Sequence, residues 1–300
     1  MTMGELEFHA WLRSTSFGAR DLVVGIGDDG AIVEAPPGFS TVLVADAMAE
    51  GSHFLTSDSP ELIGRKALAR NLSDIAAMGG IPRFALATAA LPRGFAPDYP
   101  RRITTGMRAL AAEYDTILTG GDTITHDGGL VISVTVIGFV ERGRAVRRSG
   151  ACVGDVIAVT GALGGSFPIR HLSFDPRIYE ARELCALGPP SAMMDISDGL
   201  AMDLRRLAVA SGVGFRVKAD LVPLHSDLKE APDAFHRALT DGEDYELLFT
   251  MSRAVWDHVK AAWTKSTPIR MIGEVILQGE ELELAGGKIV PFPLGGHVHL

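Results

Sequence analysis

Strand-like and helix-like segments alternate along the whole chain. A short helix opens it at Glu5–Arg13, and the β-branched runs Val23–Ile26 and Thr41–Ala45 read as strands. Ser59 is placed to cap a helix reaching about Met78, with Pro60 at its first position and Glu61 in its first turn. Apolar positions in that helix (Leu68, Leu72, Ile75, Gly79) recur at three- and four-residue spacing. The spacing leaves Lys66, Arg70, Asn71 and Asp74 on a solvated face. Gly79-Gly80 and Pro82 close the helix. Phe84–Leu91 reads as a strand, Pro97–Tyr114 as a second long helix, and Ile117–Thr119 and Leu130–Val140 as two further strands. The second half repeats the mixture. Strands are expected at Val156–Thr160, Phe215–Lys218, Tyr245–Thr250 and Ile269–Gly273, and helices at Ser197–Ala210 and Arg253–Trp263. No fixed-period repeat is visible, so the fold class is α/β (α+β) in two mixed α/β domains. The Arg- and Gly-rich stretch Glu141–Gly154 marks the boundary, giving domains 1–142 and 143–300.

Composition narrows the function classes. A chain of 300 residues, 47% apolar and 22% charged, is ordinary globular material of about two domains. Its net charge of −9 argues against a nucleic-acid partner. The longest apolar run, Leu130–Val140, is interrupted by polar residues and too short to span a bilayer. Met1–Arg13 has no apolar signal-peptide core. Cys152 and Cys185 form neither a CxxC nor a zinc spacing and read as plain thiols. The expectation is a cytoplasmic protein that does not engage a membrane.

One motif invites a wrong reading. Gly25-Ile26-Gly27-Asp28-Asp29-Gly30 satisfies GxGxxG after a strand, and Asp46 imitates the ribose-binding acid. A dinucleotide site needs a helix directly after the third glycine. Here Pro36-Pro37 and the next strand follow within about ten residues. Two carboxylates in the loop would also repel a pyrophosphate, so the dinucleotide reading fails. No P-loop or protein-kinase signature occurs.

More informative is a series of aspartates beside glycine or small residues at element ends: Asp28-Asp29, Asp46, Asp74, Asp122, Asp195 and Asp198. Each alone reads as a turn or cap residue, and Asp198 is placed to cap the following helix. Together they read differently. Carboxylates that converge repel one another and require cations. An all-oxygen donor set without His or Cys selects a hard ion, and Mg²⁺ beside glycine-rich turns is the chemistry of nucleotide phosphates.

GIGDDGA, the Asp46–Phe54 stretch with EGSHF, NLSDIAAMGG, GGDT, RRSGACVGD, DISDGL and GEDYELLF, in this order, resemble the thiamine-monophosphate kinases. These belong to the aminoimidazole-ribonucleotide-synthetase-like superfamily. The resemblance runs from Gly4-Glu5 to about Gly273. It implies two α/β domains, with N-terminal halves pairing in a homodimer, and ATP and several Mg²⁺ ions held by aspartates. It further implies transfer of the γ-phosphoryl group of ATP to thiamine monophosphate. By motif match the metal ligands would be Asp29, Asp46, Asp74, Asp122, Asp195 and Asp198. Gly121, Asp122, Arg148 and Ser197 match ATP-contacting positions, and His53 and Glu243 match positions that touch the thiamine phosphate. No general base is expected, because the acceptor is a phosphate oxygen already ionised at neutral pH. Lys66 and Arg70 are left as face charges.

The chain departs from the family pattern in three places. Val44 and Ala45 replace the hydroxyl residues before Asp46, which removes a side-chain ligand from one metal. Gly165 stands where an aspartate is usual, and only four residues separate Ser166 from His171 where a helix is expected. The C-terminal aromatic that packs on thiamine has Phe292 or Leu294 as its candidate equivalent. The alternatives are a diverged paralogue kinase with another small phosphorylated acceptor, and a non-catalytic ATP-binding protein.

Overall fold

The computed structural model describes residues 5–16, 18–26, 31–168, 170–228 and 230–297, including in the opening helix the side chains of Phe8 and of residues 11–14. The chain forms two compact units, Met1–Ile75 with Gly80–Arg144, and Ala76–Gly79 with Ala145–Leu300. Both are mixed α/β.

The N-terminal unit opens with α1 (Glu5–Ser14) and the antiparallel pair β1 (Leu22–Val24) and β2 (Ile32–Val33). Beyond the GxGxxG stretch the chain therefore enters a strand and not a helix, so the dinucleotide geometry is absent. There follow β3 (Phe39–Ala49), α2 (Pro60–Ala77), β4 (Ile81–Pro92), α3 (Tyr99–Glu113), β5 (Ile117–His126) and β6 (Val131–Glu141). The four strands from β3 to β6 make one sheet in the order β3-β6-β4-β5. β4 and β5 run parallel with α3 as their crossover, and the other two pairings are antiparallel. Along β3 the pleat buries Val42 and Met48 and exposes Leu43, at 69%. One sheet face is thus packed and the other open.

β3 and β5 run further than their sequence suggests. Thr41–Ala45 extends to Ala49, and Ile117–Thr119 continues through Gly120-Gly121-Asp122 to His126. The ladder partners dictate this: β6 pairs with β3 over its full length, and β4 carries β5 past its bulge at Ala85/Leu86. Asp46 and Asp122 therefore lie within strands and not at their ends.

The reading of α2 as half solvated is also corrected. From Lys66 to Ala77 every residue except Asp74 is buried, including Lys66, Arg70, Asn71 and Ser73. From Lys66 onward the helix is packed on all sides, and its polar residues there form a stripe inside the unit. α2 and α3 cross at backbone contact: a Cβ on Gly64 would stand 1.9 Å from the Ile103 carbonyl oxygen, and one on Gly106 would stand 1.8 Å from that of Glu61.

The C-terminal unit is built on β7 (Val156–Thr160), β8 (Ala192–Asp195), β9 (Gly214–Lys218), β10 (Leu247–Met251), β11 (Ile269–Ile276), β12 (Glu280–Glu283) and β13 (Ile289–Pro291). Their sheet order is β13-β12-β9-β11-β7-β10-β8, parallel only between β12 and β9. β7, β8 and β10 are buried at every residue. The helices are α4 (Ile178–Leu187), α5 (Leu200–Ser211), α6 (Ala234–Thr240) and α7 (Arg253–Ala262). α5 packs Leu200, Leu204 and Leu207 into a core with Ile157, Phe215 and Leu248. Among the described residues no helix is long and apolar enough to cross a membrane.

Replacing Gly106 by alanine forces α2 and α3 apart at their closest point. We expect a loss of about 1–3 kcal/mol, the usual cost of overpacking, read as a lower urea midpoint with an unchanged slope.

Candidate active site

In the N-terminal unit the end of β3 meets the polar stripe of α2. The Asp46 backbone N–H donates to Asn71 Oδ1 at 3.0 Å, and Arg70 Nε stands 3.4 Å from Asp46 Oδ2. Arg70 Nη1 donates to the Ala47 carbonyl at 3.0 Å, and Lys66 Nζ to the His53 carbonyl at 2.6 Å. Lys66, Arg70 and Asp74 follow one another at four-residue spacing, which puts them on one side of the helix. Lys66 and Arg70 are therefore not face charges. Each buried cation has a main-chain oxygen, as buried charge requires. His53 sits in the turn after β3, where its Nδ1 accepts from the Ala49 N–H at 3.2 Å and its own N–H donates to the Ala49 carbonyl at 3.1 Å. The hydrogen atom of the neutral ring is thereby on Nε2. Asp74, half-buried, is the most accessible residue of this stretch of α2.

The second N-terminal locus is on β5. Gly121 has φ 152° and presses against β4, where a Cβ would meet the Ala87 carbonyl oxygen at 1.8 Å. No larger residue fits there. Asp122 follows, exposed, with its Oδ1 accepting from the Thr123 N–H at 2.8 Å. A cavity of about 770 Å³ is lined by Gly120, Gly121, Asp122 and Thr123, by Gly25, Ile26 and Ala31, and by apolar residues of α1 and α3 such as Phe8, Leu12, Ile103 and Met107. The flanks of GIGDDGA and the whole of GGDT thus border one space. Asp29 lies outside the described residues. Asp46 and Gly121 fall in one register row, Asp46–Val134–Ala87–Gly121. That row spans three strand spacings, about 14 Å, so Asp46 and Asp122 are not neighbours in this unit.

In the C-terminal unit, DISDGL and GEDYELLF are zipped together. Ile196 N–H donates to the Glu246 carbonyl at 2.8 Å, Tyr245 N–H to the Ile196 carbonyl at 2.8 Å, and Glu243 N–H to the Ser197 carbonyl at 2.7 Å. Glu243 and Tyr245 adopt φ of 70° and 52°. Such left-handed backbone at non-glycine residues costs energy and collects at functional sites. Asp195, Asp198 and Ser197 lie on this turn, the two aspartates buried. Asp198 does not cap α5. The cap residue is Gly199, without a side-chain bond, and Asp198 Oδ2 instead accepts from Arg206 Nη1 at 2.5 Å.

The organiser of this turn is a residue the sequence reading passed over, Asp203. Its Oδ2 accepts from the N–H groups of Ser197 and Asp198, both at 3.0 Å, and its Oδ1 from Arg206 at 2.7 Å. Burial first, and then the Asp195 charge, push Asp203 up to about 7. The signal was its place in the first turn of α5, five residues after Asp198, where an acid can turn back onto loop amides. Arg170 and Arg177 were also missed. Arg170 reaches Asp244 at 2.8 Å and the Gly164 carbonyl at 2.9 Å, and Gly164 N–H donates to Asp244 at 2.8 Å. Arg177 grips the buried Glu246 bidentately at 2.6 and 2.7 Å. Gly165 N–H donates to Asp241 at 3.0 Å, and a Cβ on Gly165 would meet Leu228 at 3.0 Å. Arg148 is exposed in a loop pinned by Ser211, whose Oγ donates to the Arg148 carbonyl at 3.2 Å. Of the two tail candidates, Phe292 is buried in the core, edge-on to Phe215, while Leu294 is 82% exposed beside Met202, Arg206 and Val209.

Among the described residues no group of three or more His, Cys, Asp or Glu converges as a metal site. The exposed Asp122 and the half-buried Asp74 are nevertheless oxygen donors of the kind a hard cation takes.

Both halves match family models: the AIR synthase related protein N-terminal domain over residues 27–140, and the corresponding C-terminal domain over 153–282. The chain is thus a two-domain AIR synthase related protein. It is 40% identical to the thiamine-monophosphate kinase of Bacillus subtilis over 84% of this chain and 85% of that one. With the enzyme of Rhodopirellula baltica it shares 36% over 91% and 89%. The chain belongs to the thiamine-monophosphate kinase family. Its fold superposes on the Stenotrophomonas maltophilia thiamine-monophosphate kinase with a TM-score of 0.79 at 32% identity, covering 95% of this chain and 98% of that one. It superposes on AaThiL complexed with AMPPCP and TMP with a TM-score of 0.77 at 31% identity, covering 99% and 97%. The hydrogenase maturation protein HypE, at 19% identity, shares the fold alone.

Replacing Asp203 by alanine strips the acceptor from two loop N–H groups and one carboxylate from Arg206. We expect a loss of about 2–4 kcal/mol in urea unfolding, with Asp203→Asn, which keeps an oxygen, losing less. Equal midpoints for Asp203→Ala and the parent would show that the turn holds itself.

Proposed function

We propose that the chain transfers the γ-phosphoryl group of ATP to thiamine monophosphate, giving the diphosphate. Beyond family membership, the observation that carries this is the N-terminal cavity. Its volume suits a nucleotide, apolar side chains offer a surface for a base, and two glycine–aspartate segments border it. Residues 1–142 serve as the ATP- and Mg²⁺-binding and dimerisation domain, and residues 143–300 form the C-terminal domain. The open sheet face with Leu43 and Ile124 exposed supports a homodimer formed through the N-terminal domains. The protein works in the cytoplasm.

The reacting groups of both substrates are negatively charged phosphates, so the chain must align them and neutralise charge. Asp29, Asp74, Asp122, Asp195 and Asp198 would hold Mg²⁺. Bound Mg²⁺ supplies positive charge to the transferring phosphoryl group. Gly121, held against β4 where only glycine fits, brings the β5 backbone to the border of the cavity offered to the nucleotide. Ser197 offers a hydroxyl on the zipped turn, and the exposed Arg148 offers a guanidinium to ATP. His53, its Nδ1 already accepting from the backbone, presents Nε2–H as a donor to the acceptor phosphate. Glu243 is set for the thiamine phosphate by its left-handed backbone. Leu294 is the exposed tail side chain available to cover the acceptor.

The test is ADP release with Mg²⁺ and ATP, with and without thiamine monophosphate, with the product followed by chromatography. We expect stimulation by the acceptor and stoichiometric thiamine diphosphate. Release indifferent to the acceptor would overturn the reading. Asp74→Asn and Asp122→Asn should each lower kcat by more than ~100-fold, because losing even an outer-shell partner of a metal costs about 10–100-fold.

A further inference from the structure

Asp46 was expected to hold a metal ion, yet its carboxylate stands in an ion pair with the guanidinium of a buried arginine. We infer that the Arg70 guanidinium is a resident cation at Asp46, occupying the place of one divalent ion in this chain's active site. The inference rests on the kinase reading above and refines its metal set.

Five observations meet at this point. The Arg70 side chain is 10% exposed, so it is no surface charge that happens to lean inward. Its contacts include a carboxylate oxygen, Asp46 Oδ2, in an ion pair at 3.4 Å, and a main-chain carbonyl, Ala47 O, at 3.0 Å. Carboxylate plus carbonyl is the donor set that a hard divalent cation draws on. Val44 and Ala45 offer an ion no side-chain oxygen, and Asn71 Oδ1 already accepts from the Asp46 N–H. The next carbonyl of this turn to meet α2, that of His53, is likewise taken by a protein cation, Lys66. Among the described residues Asp46 belongs to no group of three or more His, Cys, Asp or Glu that could hold a metal ion.

The chemistry is a substitution of charge carriers. A guanidinium brings one positive charge, always present and fixed by covalent attachment to α2. A divalent ion brings two, from solution, and keeps several waters. With Arg70 in place, Asp46 is paired at every Mg²⁺ concentration.

The experiment counts ions. Bound Mn²⁺ per chain is measured by equilibrium dialysis on the full-length protein, with a non-hydrolysable ATP analogue and thiamine monophosphate present. Arg70→Ala exposes the Asp46 carboxylate and the Ala47 carbonyl, and should bind one more Mn²⁺ per chain than the parent. Arg70→Lys, which keeps a cation, should match the parent. Asp46→Asn in the parent background should leave the count unchanged and keeps the test open should Arg70→Ala fail to fold. Equal counts for parent and Arg70→Ala overturn the inference. So does loss of one ion in Asp46→Asn, which would make Asp46 a metal ligand despite Arg70. Failure of the kinase reading shows itself separately, as ADP release indifferent to thiamine monophosphate.

Discussion

Charge kept inside a packed protein must be met by charge or by oriented dipoles, and most of this architecture follows from that requirement. α2 carries Lys66, Arg70 and Asn71 into the interior of the N-terminal unit. The end of β3 and its turn meet Lys66 and Arg70 with carbonyl and carboxylate oxygens, and Asn71 with the Asp46 N–H. The path of residues 46–54 is thus set as much by what α2 demands as by strand propensity. The C-terminal unit inverts the signs. Among its buried acids, Asp198, Asp203, Asp244 and Glu246 are met by Arg206, Arg170 and Arg177.

A protein with net charge −9 that handles two phosphate esters cannot rely on a general positive field. Its carboxylates act as a scaffold for positive charge, some of it recruited and some built in. The chain leaves acids such as Asp122 open to solvent while covering others such as Asp203, and that division sorts donors free to take an ion from acids that only shape the turn.

The sequence made the long periodic elements and the glycine–aspartate segments readable, because each carries its signal locally. α2, α3, β6, β7, α5 and α7 lie near their expected positions. The solvated face assigned to α2 failed for a non-local reason. A helix covered on all sides shows no division between wet and dry positions, so Lys66 and Arg70 could be judged only once their carbonyl partners were placed. β5 was cut short because Gly120, Gly121 and Asp122 are poor strand formers, and pairing with β4 overrides their preference. The short elements α4, α6, β8, β12 and β13 carry too few turns or pleats to announce themselves. Asp203 was missed for a similar reason: an acid in the first turn of a helix is ordinary, and what sets this one apart is where the preceding loop folds.

The zipped pairing of Ile196–Ser197 with Glu243–Glu246 has a consequence for protein engineering. Glu243 owes its direction to an unfavourable backbone shape that the DISDG turn enforces through main-chain bonds. A graft of residues 242–246 into a relative would bring the side chains without the constraint that aims them. Residues 195–203, including the acid that pins the turn, have to travel with it, and the two stretches are best regarded as one transplantable module.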